Sequence, residues 1–156
     1  MGCMSETITY RTLRREDYPA LTELLCDTWY LKPDTDRDLA MKLAEADLEY
    51  CLARTTTAQV AVRDETVVGV VLGRIDAAET RKGVNRHHRA SMKILASLLF
   101  NAQGRAALQK LKKNEEANRS MLAEAKKEGH AYDAEVVLLL VSPSARGQGV
   151  GKHLFD

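Results

Sequence analysis

Near the end of the 156-residue sequence an apolar run, Val136 to Val141, leads through Ser142-Pro143-Ser144-Ala145 into Arg146-Gly147-Gln148-Gly149-Val150-Gly151 and then Lys152-His153-Leu154-Phe155. This reads as a buried strand, a turn, a glycine-rich loop and the opening of a helix. Glycines on alternate residues let a backbone approach a ligand, because no Cβ stands in the way. The first N–H groups of a helix have no internal acceptors and lie at the positive end of its dipole. A phosphate fits such a place, although the same glycines also suit a tight turn that binds nothing. Two phosphate loops fail to match. A Walker A loop requires G-x-x-x-x-G-K-[ST], yet His153 follows Lys152 and Arg146 stands where the first glycine belongs. The dinucleotide fingerprint G-x-G-x-x-G requires glycine at Lys152 and belongs near the start of a βαβ unit, whereas several elements precede this loop.

Other reactive side chains offer less. His87, His88, His130 and His153 have no metal-ligand spacing and read as surface residues. Cys3, Cys26 and Cys51 are odd in number and widely separated, with no C-x-x-C pair, so neither a zinc cage nor a disulfide framework is expected. Cys26 and Cys51 fall on helical faces and read as core. No metal is expected.

Several elements must position the loop. Thr7 to Leu13 alternates and is rich in β-branched residues, which predicts a strand. A helix starts at Arg15-Glu16-Asp17-Tyr18-Pro19 and buries Leu21, Leu24, Leu25 and Cys26; acids and an early proline suit its first turn. Trp29 to Pro33 is a break. A second helix runs from about Asp36 to Ala53 with Leu39, Leu43, Ala46 and Tyr50 at helical spacing. Gln59 to Arg63 and Thr66 to Ile75 form a hairpin around Asp64-Glu65, without the favoured Asn-Gly. From Asn85 to Glu128 the pattern is helical: Met92, Leu95, Leu98 and Leu99 make one buried face, Gly104 punctuates, and the following helix has sparse apolar positions and so lies mostly exposed. Glu135 to Val141 does not alternate and predicts a central strand buried on both faces.

The length suits a single domain, 1–156. Hydrophobic residues at 45% and charged residues at 29% are ordinary for a folded globular chain. The longest apolar run is too short to span a bilayer, and Met1 to Glu6 carries neither a signal-peptide core nor a myristoylation pattern. A cytoplasmic protein with no membrane partner is expected. The net charge is +1, but residues 77–133 hold 12 Lys and Arg against 6 Asp and Glu. Acids interleave these bases and aromatic residues are scarce, so no nucleic-acid partner is expected.

The run Arg146-Gly147-Gln148-Gly149-Val150-Gly151 resembles the pyrophosphate-binding loop [QR]-x-x-G-x-[GA] of the GNAT-type N-acetyltransferase superfamily. Leu140-Val141-Ser142-Pro143 before it, Tyr10-Arg11-Thr12-Leu13 with Asp17 and Leu21, and Val67 to Gly73 are similar to that superfamily's corresponding strands and first helix. The resemblance implies an α/β (α+β) fold: a mixed, mainly antiparallel sheet flanked by helices, with 77–133 as a helical insertion between strands 3 and 4. It implies acetyl-CoA as co-substrate and an amine as acceptor, attacking directly. The amides from Arg146 through Gly147, Gln148, Gly149 and Val150 to Gly151 would hold the pyrophosphate, and Leu139, Leu140 and Val141 would line the pantetheine arm. Glu135, at the start of the same strand, is the carboxylate that some relatives use as a base through water. Trp29 and Tyr30 fall where relatives shape the acceptor pocket, although Trp29 reads better as core.

The resemblance also implies a further strand and helices after this loop, whereas the sequence stops at Asp156 within a helix of at most about ten residues, short for a helix. An incomplete unit is therefore expected, its C-terminal part truncated, cleaved or supplied by another chain. A homodimer through the insertion is the other expected contact. The competing functional reading is a non-catalytic acyl-CoA-binding or regulatory module working through the insertion.

Overall fold

The computed structural model describes residues 7–76 and 84–156. Cys3 and residues 77–83, the start of the expected insertion, lie outside the described residues. Four strands, β1 (Thr9–Thr12), β2 (Thr57–Arg63), β3 (Thr66–Ile75) and β4 (Ala134–Val141), form one antiparallel sheet in that order. Val60, Val70 and Leu140 lie opposite one another across three strands, and all three are buried. The β2–β3 hairpin turns at Asp64 and Glu65 with φ of 48° and 64°. Positive φ at both central residues matches the twist of the flanking strands; Asp64 tolerates it, and the chain accepts the cost at Glu65, where glycine is favoured.

Helices α1 (Tyr18–Leu25) and α2 (Arg37–Arg54) cover one face of the sheet. Leu21, Leu25, Ala44, Leu48 and Leu52 pack there against Val60, Val70, Leu72, Leu138 and Leu140. A 3-10 turn, Arg15–Asp17, enters α1. Asp17 is buried and accepts both guanidinium N–H groups of Arg11 at 2.8 Å and the Arg14 amide at 2.7 Å. The Arg11 bond, then the amide, hold its carboxyl below the usual range against the opposing effect of burial. Asp36 caps α2 by accepting from the Leu39 amide. Cys26 and Cys51 are free and buried.

On the other face sits the short α5 (Val150–Phe155), whose Val150 and Leu154 pack on Ala61 and Val68. Gly69 of β3 makes this close seat: a Cβ there would stand 3.1 Å from both Val150 Cγ1 and Leu154 Cδ1.

Three expectations change. β4 is buried on one face only: Leu138 and Leu140 are inside, while Val136 and Leu139 are exposed. Among the described residues no strand pairs with its outer edge, and α5 does not reach Leu139, so the apolar run alternates in its surroundings but not in its composition. α2 is buried on two sides: Leu43 and Ala46 turn toward the next helix, not the sheet, and Tyr50 is exposed. That helix, α3 (Val84–Ser97), docks through polar groups. Buried His87 pairs through Nδ1 with Glu49, and the buried Ser91 hydroxyl donates to the Ala46 carbonyl at 2.9 Å. His87 is therefore not a surface residue. The stripe carrying His87 and Ser91 faces α2, so Met92 and Leu99 are left 55% and 56% exposed; of the four expected apolar residues only Leu98 is fully buried.

The 26-residue helix α4 (Ala102–Lys127) buries only Gly104. No helix among the described residues is long and apolar enough to cross a membrane. Gly104 sits over the end of the turn that joins α3 to α4, and its amide donates to the Asn101 side chain. A Cβ there would fall 2.2 Å from the Leu98 carbonyl oxygen.

Gly104→Ala is expected to destabilise the chain by about 1–3 kcal/mol, because backbone and not a flexible side chain must move. Urea denaturation measures this; an unchanged midpoint would contradict the packing. Asp17→Asn is expected to cost about 1.5–3 kcal/mol at neutral pH, the scale of hydrogen bonds to a charged group. Because the folded-state pKa of Asp17 is lowered, its stabilisation is complete above the ordinary carboxylate range and is lost as pH falls through the lowered value. The gap between wild type and variant therefore closes in acid, which paired pH titrations of stability would register.

Candidate active site

The glycine loop leaves β4 at a fixed point. The Ser142 amide donates to the Val68 carbonyl at 2.8 Å, one step beyond the Gly69–Val141 register pair. Counting back by alternation, Leu140 turns its backbone groups toward β3, and Leu139 and Val141 turn theirs to the free edge. Of the three residues expected along an extended ligand, Leu139 turns both backbone groups to the free edge, Val141 turns its amide there while its carbonyl accepts from Arg146, and Leu140 gives its side chain to the core. A 3-10 turn, Pro143–Ala145, follows, with the Ala145 amide bonded to the Ser142 carbonyl at 2.9 Å.

Gly147 and Gly149 both take left-handed backbone, with φ of 75° and 77°, and a Cβ on either would meet nothing within 4 Å. An L-residue would be strained there although space is abundant. Gly151 differs. It lies in the first turn of α5, and a Cβ on it would make ordinary contact with Val141 Cγ2 at 3.6 Å. The three glycines therefore do two jobs, and only the first two bend the loop. Among the described residues, no backbone carbonyl accepts from the amides of Gly147, Gln148, Gly149, Val150, Gly151 or Lys152. Gly147, Gln148, Gly149 and Lys152 are exposed, Gly151 is half-buried and Val150 is buried.

Side chains brace the loop. Arg146 Nε donates to the Val141 carbonyl at 3.2 Å, Gln148 Nε2 to the Ser144 carbonyl at 3.1 Å, and Arg63 to Ser144 Oγ at 3.0 Å. The His153 ring stacks on Tyr10, with centroids 3.8 Å apart. Arg63, Arg146 and Lys152 give this end of the sheet a positive field, which suits a polyanion.

Glu135 lies at the opposite end of β4, across from Arg74 of β3. Both of its oxygens accept from Arg54 Nη2, at 2.9 and 2.8 Å, and Arg74 Nη2 stands 3.4 Å away. The expected base is thus an acceptor already shared by two guanidinium groups. It lines an open groove of about 700 Å³ together with Arg54, Arg74, Lys126, His130 and Tyr132.

A second carboxylate was not singled out by sequence. Asp47 of α2 accepts from the Tyr30 hydroxyl at 2.8 Å and from Cys51 Sγ at 3.7 Å. Burial pushes its carboxyl above the usual range, against the effect of those two bonds. Burial, then the Asp47 charge, pushes the Tyr30 hydroxyl and the Cys51 thiol up as well. In sequence Asp47 resembles any solvated helix charge; its one signal is that Leu43 and Cys51, four residues to either side, are apolar. Trp29, expected in the core, is 49% exposed and lines a neighbouring cavity of about 380 Å³ with Tyr30 and Leu39. Among the described residues no group of three or more His, Cys, Asp or Glu is placed to hold a metal ion.

The sequence matches no model of a known protein family and no curated protein. In backbone course the chain is similar to a GNAT family acetyltransferase from Brucella melitensis solved with acetyl-CoA, at 12% identity and a TM-score of 0.44. It is also similar to a histone acetyltransferase HPA2-related acetyltransferase from Corynebacterium glutamicum, at 18% and 0.47, and to mosquito arylalkylamine N-acetyltransferase like 5b, at 16% and 0.39. Each overlap covers 96% of this chain but only 64%, 68% and 68% of the other, so the chain spans about two thirds of their length. These overlaps are loose, and the features that bear on assignment are the chain's own: the antiparallel order β1-β2-β3-β4, two helices between β1 and β2, and a left-handed glycine turn between β4 and a helix on the opposite face. That element order, as far as α5, is the order read from the sequence.

Proposed function

We propose that this protein is an acetyl-CoA-dependent N-acetyltransferase whose glycine turn holds the pyrophosphate. The observation that carries the reading is the row of amides from Gly147 to Lys152, free of internal acceptors and reachable because Gly147 and Gly149 leave open space. Oxyanions of a pyrophosphate would accept from these donors, and Arg146 and Lys152 would supply countercharge. The outward backbone groups of Leu139 and the outward amide of Val141 continue the same surface along β4 and suit the amides of a pantetheine arm.

In this reading a neutral acceptor amine attacks the thioester carbonyl carbon; a C–N bond forms, the C–S bond breaks, and the proton shed by the new amide nitrogen balances the one taken up by the departing thiolate. The amine must first lose a proton, since a free alkylamine of pKa about 10.4 is almost wholly protonated at neutral pH. Glu135 is proposed as the acceptor of that proton, directly or through one water. The arginine pair sets a condition: Arg54 has to release one oxygen before Glu135 can act. This same clamp favours the second reading, an acyl-CoA-binding module without turnover, in which Glu135 only ties β4 to α2.

Gly149→Val is expected to weaken CoA binding by calorimetry at least about tenfold, the loss of one charge-assisted contact; equal affinity would misplace the site. Glu135→Gln separates the two roles. A base predicts a fall of about 10²–10⁴-fold in rate and loss of the acid limb of the pH–rate profile. A changed rate with an unchanged profile, or no change, would assign Glu135 to structure.

A further inference from the structure

Asp47 looks into a cavity of about 540 Å³ between α2, α3 and α4, walled by Tyr30, Tyr50, Met92 and Leu95 with Asn114 and Asn118 across from it. Its two hydrogen-bond partners, Tyr30 and Cys51, are both neutral donors. Among the described residues no Lys, Arg or His nitrogen forms an ion pair with it. The ionisable groups at the cavity's rim do not supply the missing charge. Arg119 is held by Glu115 at 2.7 Å, Arg54 is held by Glu135 and lies over the Tyr50 ring at 5.5 Å, and His88 is exposed on α3. Asp47 is half-buried, and a carboxylate drawn partly out of water is stabilised by a cation beside it. Here the cation's place opens into a cavity.

We infer that Asp47 and the tyrosines beside it form a binding site for an organic ammonium group, so that the acceptor is a cationic alkylamine with an apolar stem. The carboxylate supplies the charge. Tyr30 and Tyr50 supply ring faces to which an ammonium is attracted. Met92 and Leu95, exposed apolar and half-buried apolar residues of α3, receive the stem. The site lies on the same side of α2 as the Arg54–Glu135 pair: Asp47, Cys51 and Arg54 are spaced four and three residues apart on one helix, and Cys51 senses the charges of Asp47, Arg54 and Glu135 together. The ammonium site itself stands on Asp47 and its cavity; naming the ligand as the acceptor rests on the acetyltransferase reading.

The test uses the full chain and two probes of one skeleton, cyclohexylmethylammonium and the neutral cyclohexylmethanol, with affinities measured by ligand-observed NMR at pH 7.5. The ammonium is expected to bind at least about tenfold more tightly, the scale of one charge-assisted hydrogen bond. Asp47→Asn, which keeps the shape and the Tyr30 bond, is expected to abolish that preference while circular dichroism shows the fold retained. Equal binding of the two probes to wild type, no binding of either, or a preference that survives in Asp47→Asn would overturn the inference. The wild-type comparison decides even where the variant does not fold. CoA affinity, measured on the same protein, tests the acetyltransferase reading separately: loss of CoA binding leaves the ammonium result standing, and the reverse also holds.

Discussion

The seating of α5 on β3 is the contact on which the candidate site depends. Gly69 has no Cβ, and Val150 and Leu154 occupy the space one would take. This fixes where the helix begins relative to the sheet, and the loop between Val141 and Val150 has to span what is left. The Ser142–Val68 hydrogen bond sets the loop's other end. Between these two anchors the backbone must reverse quickly, and it does so through two left-handed residues. Glycine supplies them without strain, and the amides they carry are left pointing outward. The outward amides proposed to hold an anion are thus a by-product of how tightly α5 is held against a strand.

A second constraint is the double burial of α2. Its sheet-facing residues Ala44, Leu48 and Leu52 build the core, and its far side supports α3 through Ala46 and Glu49. Polar docking of this kind is directional: a His–carboxylate pair and a hydroxyl bonded to a helix carbonyl set register where apolar packing alone would tolerate sliding. α4 then runs alongside with little of itself buried, and cavities remain along α2 at Trp29, at Asp47 and at the Arg54–Glu135 pair. The two ends of β4 accordingly have different chemistry. The loop end gathers donors and positive charge suited to phosphate. The Glu135 end holds a compensated ion pair close to the cavities in which an acceptor would lie.

Much of this was legible in the residues. The loop, its preceding strand, the hairpin around Asp64-Glu65 and the capped second helix each carry a local signal in glycine spacing, β-branched runs or cap chemistry. What escaped was set by partners far away in sequence. His87 reads as a surface histidine until Glu49, 38 residues earlier, is placed beside it. The exposure of Leu139 depends on what covers its face of β4, which an unbroken apolar run does not encode. α2 defeats a single-stripe reading because two stripes are buried, which also hid Asp47. Glu135 could be flagged by position, but Arg54 lies 81 residues away and no spacing rule links the two.

The central claim is that the backbone amides after β4 are the anion donors. Titrating ¹⁵N-labelled protein with CoA while following amide resonances tests it most directly. The account predicts the largest shifts at Gly147 to Lys152, with a second group at Leu139 and Val141 and little change at Leu140, whose amide is turned to β3. Saturable binding with shifts concentrated elsewhere, or no shift at Gly147 and Gly149 at saturation, would contradict it.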